Sequence, residues 1–362
     1  MLGGKRAGKS SLLSSILFSL KYGYCSSCKC EDKTYYGTGV VDLENKRREL
    51  ERYINRFNTI GYNINNERPL FLVDAGVTME RGVYTLRNII DGAERAYIDI
   101  DFIDVPGEWM EAKSSGHDDL IDEVRKSDVF IIAIDTPMLM EAPTYLSNKY
   151  NRIKAIQRVL DNLFIKDGDQ KLIIFCPIKC EKWLIDGKLN DVIDMIKTSY
   201  SGIINTWQIP EVNMFIIPVQ TAGGIEFVKQ LPSSMLKRNN YAREELCSVD
   251  NQRQRYLLSD GTTLEFYPTI NVRQDDNLNE FPLSWFQVNG VGYKPRSCEI
   301  VTLNIIRFLV NKEIKFYSQK QADKKWWQFW KPPFGKYLNS FRSFIEGVNV
   351  NDNNEICINN LV

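Results

Sequence analysis

A single histidine, His117, occurs in 362 residues, so no imidazole stands near the cysteines to complete a zinc site. Neither sign of charge is in excess: Lys+Arg and Asp+Glu both total 46, and a dedicated nucleic-acid binder is not expected from so neutral a field. Any charged interaction surface must be local. No apolar run approaches the roughly 20 residues that a membrane span requires; the longest, such as Val129 to Ile134, have the length of a strand. The first residues contain no signal-peptide h-region with a small-residue cleavage site, which predicts a cytoplasmic chain with reduced cysteines and no disulfides. What is present, 43% hydrophobic and 25% charged residues, describes an ordinary globular chain of one large domain or two modest ones.

The chain opens Met1-Leu2-Gly3-Gly4-Lys5-Arg6-Ala7-Gly8-Lys9-Ser10-Ser11, which fits G-x-x-x-x-G-K-[ST] at Gly3, Gly8, Lys9 and Ser10. Glycines let a backbone wrap a phosphate with its N–H groups pointing inward. Lys9 would then reach the β and γ phosphates, and the Ser10 hydroxyl would ligate Mg²⁺. Leu13, Ile16, Leu17 and Leu20 recur at helical spacing directly afterwards, so a helix N-terminus is expected to face the phosphates. The competing reading is a glycine-rich turn that happens to precede a helix. Only Met1 and Leu2 stand before Gly3, and a phosphate loop normally leaves a buried strand; at least one further strand upstream is therefore expected.

Residues 96–104 alternate apolar and polar side chains and run into Asp104-Val105-Pro106-Gly107-Glu108. A carboxylate at such a strand end holds Mg²⁺ through water, and the glycine N–H senses a γ-phosphate, which makes Asp104 and Gly107 the second part of the site. Two more apolar strands, 129–135 and 171–176, flank a helical stretch at 150–164, the alternation of a parallel sheet covered on both faces. Lys179 and Glu181 follow the second strand with the spacing of the base-reading N/T-K-x-D motif, although Glu replaces Asp and Ile178 replaces Asn or Thr. A last strand at 214–219 leads into Gln220-Thr221-Ala222-Gly223-Gly224, where Thr221 and Ala222 loosely fit a loop contacting a guanine carbonyl.

In this order the features resemble the translation-factor class of P-loop GTPases. More narrowly they are similar to the bacterial double-GTPase-like family, with its G-G-x-x-A-G-K-[ST] loop, switch threonine, D-x-x-G-E turn and degenerate base motif. The resemblance covers roughly residues 1 to 225 and part of the C-terminal helical region, and rests on short motifs. It implies a Ras-like, doubly wound, mostly parallel α/β sheet and Mg²⁺-dependent hydrolysis of GTP to GDP and phosphate as a slow regulatory switch. It also implies a switch threonine before a strand at 82–87, which is Thr78, with Thr59 and Thr85 as weaker candidates.

For hydrolysis, Glu108 stands where many small GTPases carry a water-orienting glutamine, and its charge needs a cation nearby. Arg81, Lys5 and Arg6 are the candidates, Arg81 as an internal arginine finger; equally, Arg81 reads as an exposed loop cation and Glu108 as a solvated turn residue. The imperfect base motif leaves a P-loop ATPase open, and a non-hydrolysing scaffold that controls an interaction is a third reading.

Cys25, Cys28 and Cys30 form C-x-x-C-x-C without a fourth ligand nearby, and reduced loop cysteines are the default. His117 is placed in a polar turn, and 41–57 reads as an amphipathic helix inserted before the switch. Residues 226–297 read as a polar insertion or lid. A helix at 299–312 closes the GTPase domain, an aromatic-basic extension runs to 345, and 346–362 is an asparagine-rich tail. From Lys312 to Arg342 eight basic residues oppose Glu313 and Asp323, and tryptophans lie among the lysines between Lys324 and Tyr337. That pattern suits peripheral contact with the inner membrane face or a protein partner or regulator, or else tryptophans packed on the domain.

Overall fold

The computed structural model describes residues 1–4, 7–22, 28–32, 55, 58–59, 61–62, 80–90, 93–142, 144–165, 168–223, 225–231, 254–257, 263–266, 283–288, 293–322, 338–339 and 356–357. At 19–22, 28–32, 80–90, 93–99, 146, 225, 228–231, 254–257, 263–266, 283–288 and 356–357 the description is of the backbone alone.

Continuous apolar segments form the central strands, Val129–Asp135 and Lys171–Ile178, and alternating segments such as 96–104 form strands of an antiparallel sheet. In chain order the elements are α1 (Lys9–Tyr22), β1 (Cys28–Asp32), β2 (Glu80–Ile90), β3 (Ala93–Asp104) and a short 3₁₀ turn, Gly107–Met110. Then come α2 (His117–Lys126), β4 (Val129–Asp135), α3 (Thr136–Met140), α4 (Thr144–Asn151), α5 (Ile153–Leu160) and β5 (Lys171–Ile178). They are followed by α6 (Glu181–Ile185), α7 (Leu189–Ser199), α8 (Ser201–Trp207), β6 (Val212–Ile216), β7 (Ile225–Leu231), β8 (Gln254–Leu257) and β9 (Thr263–Phe266). The last are β10 (Leu283–Val288), α9 (Cys298–Ala322) and β11 (Ile356–Cys357).

β4, β5 and β6 form a parallel sheet, Val129 beside Leu172 and Lys171 beside Val212, with β11 antiparallel on the outer edge of β6. β4, apart from Val129, and β5 are buried on both sides, as parallel strands sandwiched by helices must be. Along β4, Phe130, Ile132 and Ile134 enter one core with α2, α5, α7 and α8, while Ile131 and Ala133 enter a second core with α1 and α9. β5 divides in the same way: Ile173 and Phe175 face the first core, and Leu172, Ile174, Cys176 and Ile178 the second. The chain is thus a mixed α/β protein with helices on both faces of a small parallel sheet. Phe175 meets Tyr200 edge-on, ring centroids 5.5 Å apart, within the first core.

A separate antiparallel sheet, β1-β2-β3, carries the strand expected at 82–87, paired with 96–104 as expected. Leu2 lies between the two sheets: its N–H donates to Ile131 O at 2.8 Å and its carbonyl accepts from Ala133 N at 2.9 Å, a parallel bridge to β4. The Met1 amine reaches the Ile103 carbonyl of β3 on the other side. A cleft of about 400 Å³ continues from there between Ile100–Ile103 and Ser127–Val129.

Several expectations are adjusted. The helical stretch expected at 150–164 is the end of α4, which starts at Thr144, and all of α5, which stops at Leu160; Arg152, at φ 53°, separates them. His117 does not lie in a turn; it opens α2, its Nδ1 3.0 Å from the Trp109 carbonyl oxygen. The closing helix runs ten residues past 312, because nothing in 313–322 breaks a helix and Ile314 and Tyr317 still pack against the second core. The expected insertion begins with β7, which pairs with β10 and buries Phe227 against Trp183, rings stacked at 5.6 Å. Among the described residues no helix is long and apolar enough to cross a membrane.

The ends of β4 and β5 farthest from Gly3 carry a charge cluster. Lys171, 3% exposed, lies 3.0 Å from Asp128 and 3.5 Å from Asp169, and Lys312 of α9 lies 2.5 and 3.3 Å from the same two carboxylates.

Candidate functional site

Gly3 and Gly8 have φ of 148° and 105°, left-handed values that a side chain strains to adopt. Space is equally tight: a Cβ on Gly3 would lie 2.7 Å from the Ala133 carbonyl oxygen, and one on Gly8 2.7 Å from Ile178 Cδ1. The loop is therefore pressed against the C-terminal ends of β4 and β5. Lys9, buried, folds back over it, its Nζ donating to the carbonyls of Gly3 and Gly4 at 3.0 Å each. Burial pulls the Lys9 ammonium below its ordinary pKa and Arg152 adds to this, while Asp104 and Glu108 oppose it.

Ser10 at the start of α1 donates to Asp104 Oδ2 at 2.9 Å, so two residues 94 apart in sequence share one end of the sheets. Gly107 is buried at the start of the 3₁₀ turn that carries Glu108. Ser10 and Asp104 offer hard oxygen donors side by side, the donor type Mg²⁺ takes. Among the described residues there is no cluster of three or more His, Cys, Asp or Glu side chains suited to a metal.

Beside Gly8 lies Lys179, in a left-handed conformation with φ of 58° directly after β5. Its Cε is 3.9 Å from where a Cβ on Gly8 would stand, and its Nζ lies 2.5 Å from Asp135 Oδ2. Glu181 opens α6 but turns inward, 2% exposed, where its carboxylate accepts from its own amide and that of Gly223. Burial pushes the Glu181 carboxyl up to about 7 despite those amides and the Lys179 charge. The 220–223 loop is held by backbone pairing: Gln220 and Arg296 exchange two hydrogen bonds, at 3.1 and 2.9 Å, and Lys294 N donates to the Ala222 carbonyl at 3.0 Å. Thr221 stands beside them, partly exposed.

Three residues that the motifs did not indicate stand around the loop. Asp135 closes β4 and caps α3, its Oδ1 accepting from Met138 N at 3.1 Å. Asn151 binds both peptide groups of Asp135, its Oδ1 accepting from Asp135 N at 2.8 Å and its Nδ2 donating to Asp135 O at 3.3 Å. Arg152 follows with φ of 53°. Asp-Thr-Pro after an apolar strand is a legible N-cap signal for Asp135; Asn151 and Arg152 carry no local signal.

Ala7 is buried in the loop, and Ser11 lies in the first turn of α1. Thr59 donates to the Asn55 carbonyl at 2.7 Å on an exposed segment. Lys5, Arg6, Thr78, Cys25, Gly224 and the 324–337 stretch lie outside the described residues, as does almost all of 41–57 and 346–362. So do the side chains of Arg81, Thr85, Cys28 and Cys30, whose backbones lie in β2 and β1. No family model, curated protein or solved structure matches the chain.

Proposed function

We propose that this chain is a Mg²⁺-dependent guanine-nucleotide-binding protein with a Ras-like P-loop domain, hydrolysing GTP to GDP and phosphate as a slow switch. The observation that carries the reading is the Ser10 to Asp104 hydrogen bond at the mouth of a glycine loop whose lysine is folded onto its own carbonyls. A phosphate loop needs a hydroxyl and a strand-end carboxylate together, next to an ammonium that can exchange carbonyl partners for phosphate oxygens.

In this reading the amides of the 3–10 loop bind the β phosphate, and Lys9 swings from Gly3 and Gly4 to the β and γ oxygens. The incoming negative charge offsets the burial that depresses the Lys9 pKa. Mg²⁺, when bound, would be held by Ser10 directly and Asp104 through water, and would neutralise charge on the phosphates. Gly107 and Thr78 sense the γ-phosphate. The Lys179 stem, which already lies along Gly8, covers a purine face. The inward turn of Glu181 favours a second reading, an ATPase, since a carboxylate engaged by the Gly223 amide must turn outward to take guanine hydrogen bonds.

Equilibrium competition on the full chain tests both. A fluorescent GTP analogue bound with Mg²⁺ is displaced by GTP and GDP and not by ATP, and Lys9→Ala abolishes the binding. Preferential displacement by ATP overturns the guanine assignment, and absence of any nucleotide binding overturns the reading as a whole in favour of a scaffold.

A further inference from the structure

The turn between α4 and α5 is built against Gly4 of the glycine loop. The Tyr150 carbonyl lies so close to Gly4 that a Cβ there would come within 1.7 Å of its oxygen. Asn151, fully buried, locks the next residue of the turn to the end of β4 through both peptide groups of Asp135. Arg152 then adopts a left-handed conformation, φ 53° and ψ 35°, which L side chains rarely take. Its backbone is thereby fixed relative to the loop, and its guanidinium is aimed at the segment that follows Gly107. There Nη1 meets Glu111 Oε1 at 2.5 Å, one residue beyond the Gly107–Met110 turn that carries Glu108. The Glu111 side chain is 52% exposed while that of Arg152 is 20% exposed, so the carboxylate end of the pair faces solvent, where an ion pair is weak and a competing anion can take its place. The Arg152 charge is also felt at the Lys9 ammonium, so the guanidinium and the phosphate-binding lysine share one locality.

We propose that Arg152 is an intramolecular arginine that contacts the γ-phosphoryl group during hydrolysis, held by Glu111 until nucleotide is in place. The inference rests on the nucleotide-binding reading above. In the step it serves, a water oxygen forms a bond to the γ-phosphorus, and the bond from that phosphorus to the β,γ-bridging oxygen breaks. The electron pair leaves with GDP, and the water proton ends on the phosphate product. Negative charge spreads over the γ oxygens and the bridging oxygen, where a planar guanidinium donates two hydrogen bonds in fixed geometry. Its charge would add to that of Lys9, whose ammonium Glu108 already stabilises.

The test uses Arg152→Ala, Arg152→Lys and Glu111→Gln in the full chain. It reads single-turnover GTP hydrolysis, affinity for GDP with and without aluminium fluoride, and melting temperature. Expected for Arg152→Ala is a fall in hydrolysis on the order of 10³-fold, loss of the extra affinity that aluminium fluoride confers on GDP, and unchanged affinity for GDP alone. Arg152→Lys restores only part of the rate, and Glu111→Gln hydrolyses at least as fast as the parent. A strut between α5 and the 3₁₀ turn would behave differently. If Arg152→Ala and Glu111→Gln lower the melting temperature alike while the aluminium fluoride complex survives, the proposal is overturned. It is equally overturned if Arg152→Ala leaves both rate and complex untouched. A parent protein that binds no nucleotide removes the reading beneath it, an outcome distinct from either.

Discussion

At Gly4 the tolerance for a methyl group is set by a neighbouring backbone oxygen. The Tyr150 carbonyl would stand 1.7 Å from a Cβ, and backbone cannot swing aside as a long side chain can. Gly4→Ala should therefore cost about 3 kcal/mol or more, read as a drop in the urea midpoint. Gly187→Ala, at φ of 68° with nothing within 4 Å, meets only conformational strain of about 1–2 kcal/mol. Equal costs at the two sites would refute the packing argument. Glu181 gives a pH dependence whose sign follows from its raised pKa. The folded protein holds the proton up to about 7, whereas the unfolded chain releases it near the ordinary 4.5. Stability from this group is complete below 4.5 and is lost as pH rises towards 7. Glu181→Gln should remove that decline, gaining on the parent by on the order of 3 kcal/mol between pH 4.5 and 8. Parallel stability–pH curves for parent and variant would show that the carboxyl is not desolvated in the fold.

Among the elements, α9 depends on charge as well as on its apolar stripe. Lys312 reaches Asp128 and Asp169, which also neutralise the buried Lys171 at the start of β5. Asp128→Ala removes a carboxylate from both lysines and should destabilise by about 2–3 kcal/mol. Lys312→Met, which keeps the apolar stem and leaves Lys171 with both partners, should cost under about 1 kcal/mol. The reverse order in a denaturant series would place the weight on α9 and not on Lys171. Elements with one clear period were legible in the sequence: β4 has the bounds its apolar run predicts, and β2 pairs with β3 where alternation places it. The break at Arg152 was not legible, because 144–160 contains no glycine or proline at that point; the kink is imposed by Asn151 bonding to Asp135 in a distant strand. For the site, the glycine loop, Ser10 and Asp104 could be read from motif spacing. The Asp135, Asn151 and Arg152 connection depends on which strand ends become neighbours, and spacing carries no information about that.

At the scale of the molecule, the described residues form two apolar cores divided by the parallel sheet, and Gly3 and Gly8 press on the C-terminal ends of the strands that divide them. Three thiols are buried in this interior, Cys176 in β5, Cys180 directly before α6 and Cys298 at the start of α9, and burial raises all three above their ordinary pKa, Cys298 to about 12. A maleimide should leave them unmodified in the native protein at pH 7 and label them on denaturation, as intact mass measures; rapid labelling of any of them without denaturant would contradict a closed interior. The position of β5 has a consequence in time as well as in space. It is bonded to β4 on one edge and β6 on the other, with all eight of its residues buried, so solvent can reach its amides only when the sheet itself comes apart. In deuterated water those protons should be the last to exchange, at a rate set by global unfolding, long after the exposed amides of α2 and α7 have exchanged by local fraying.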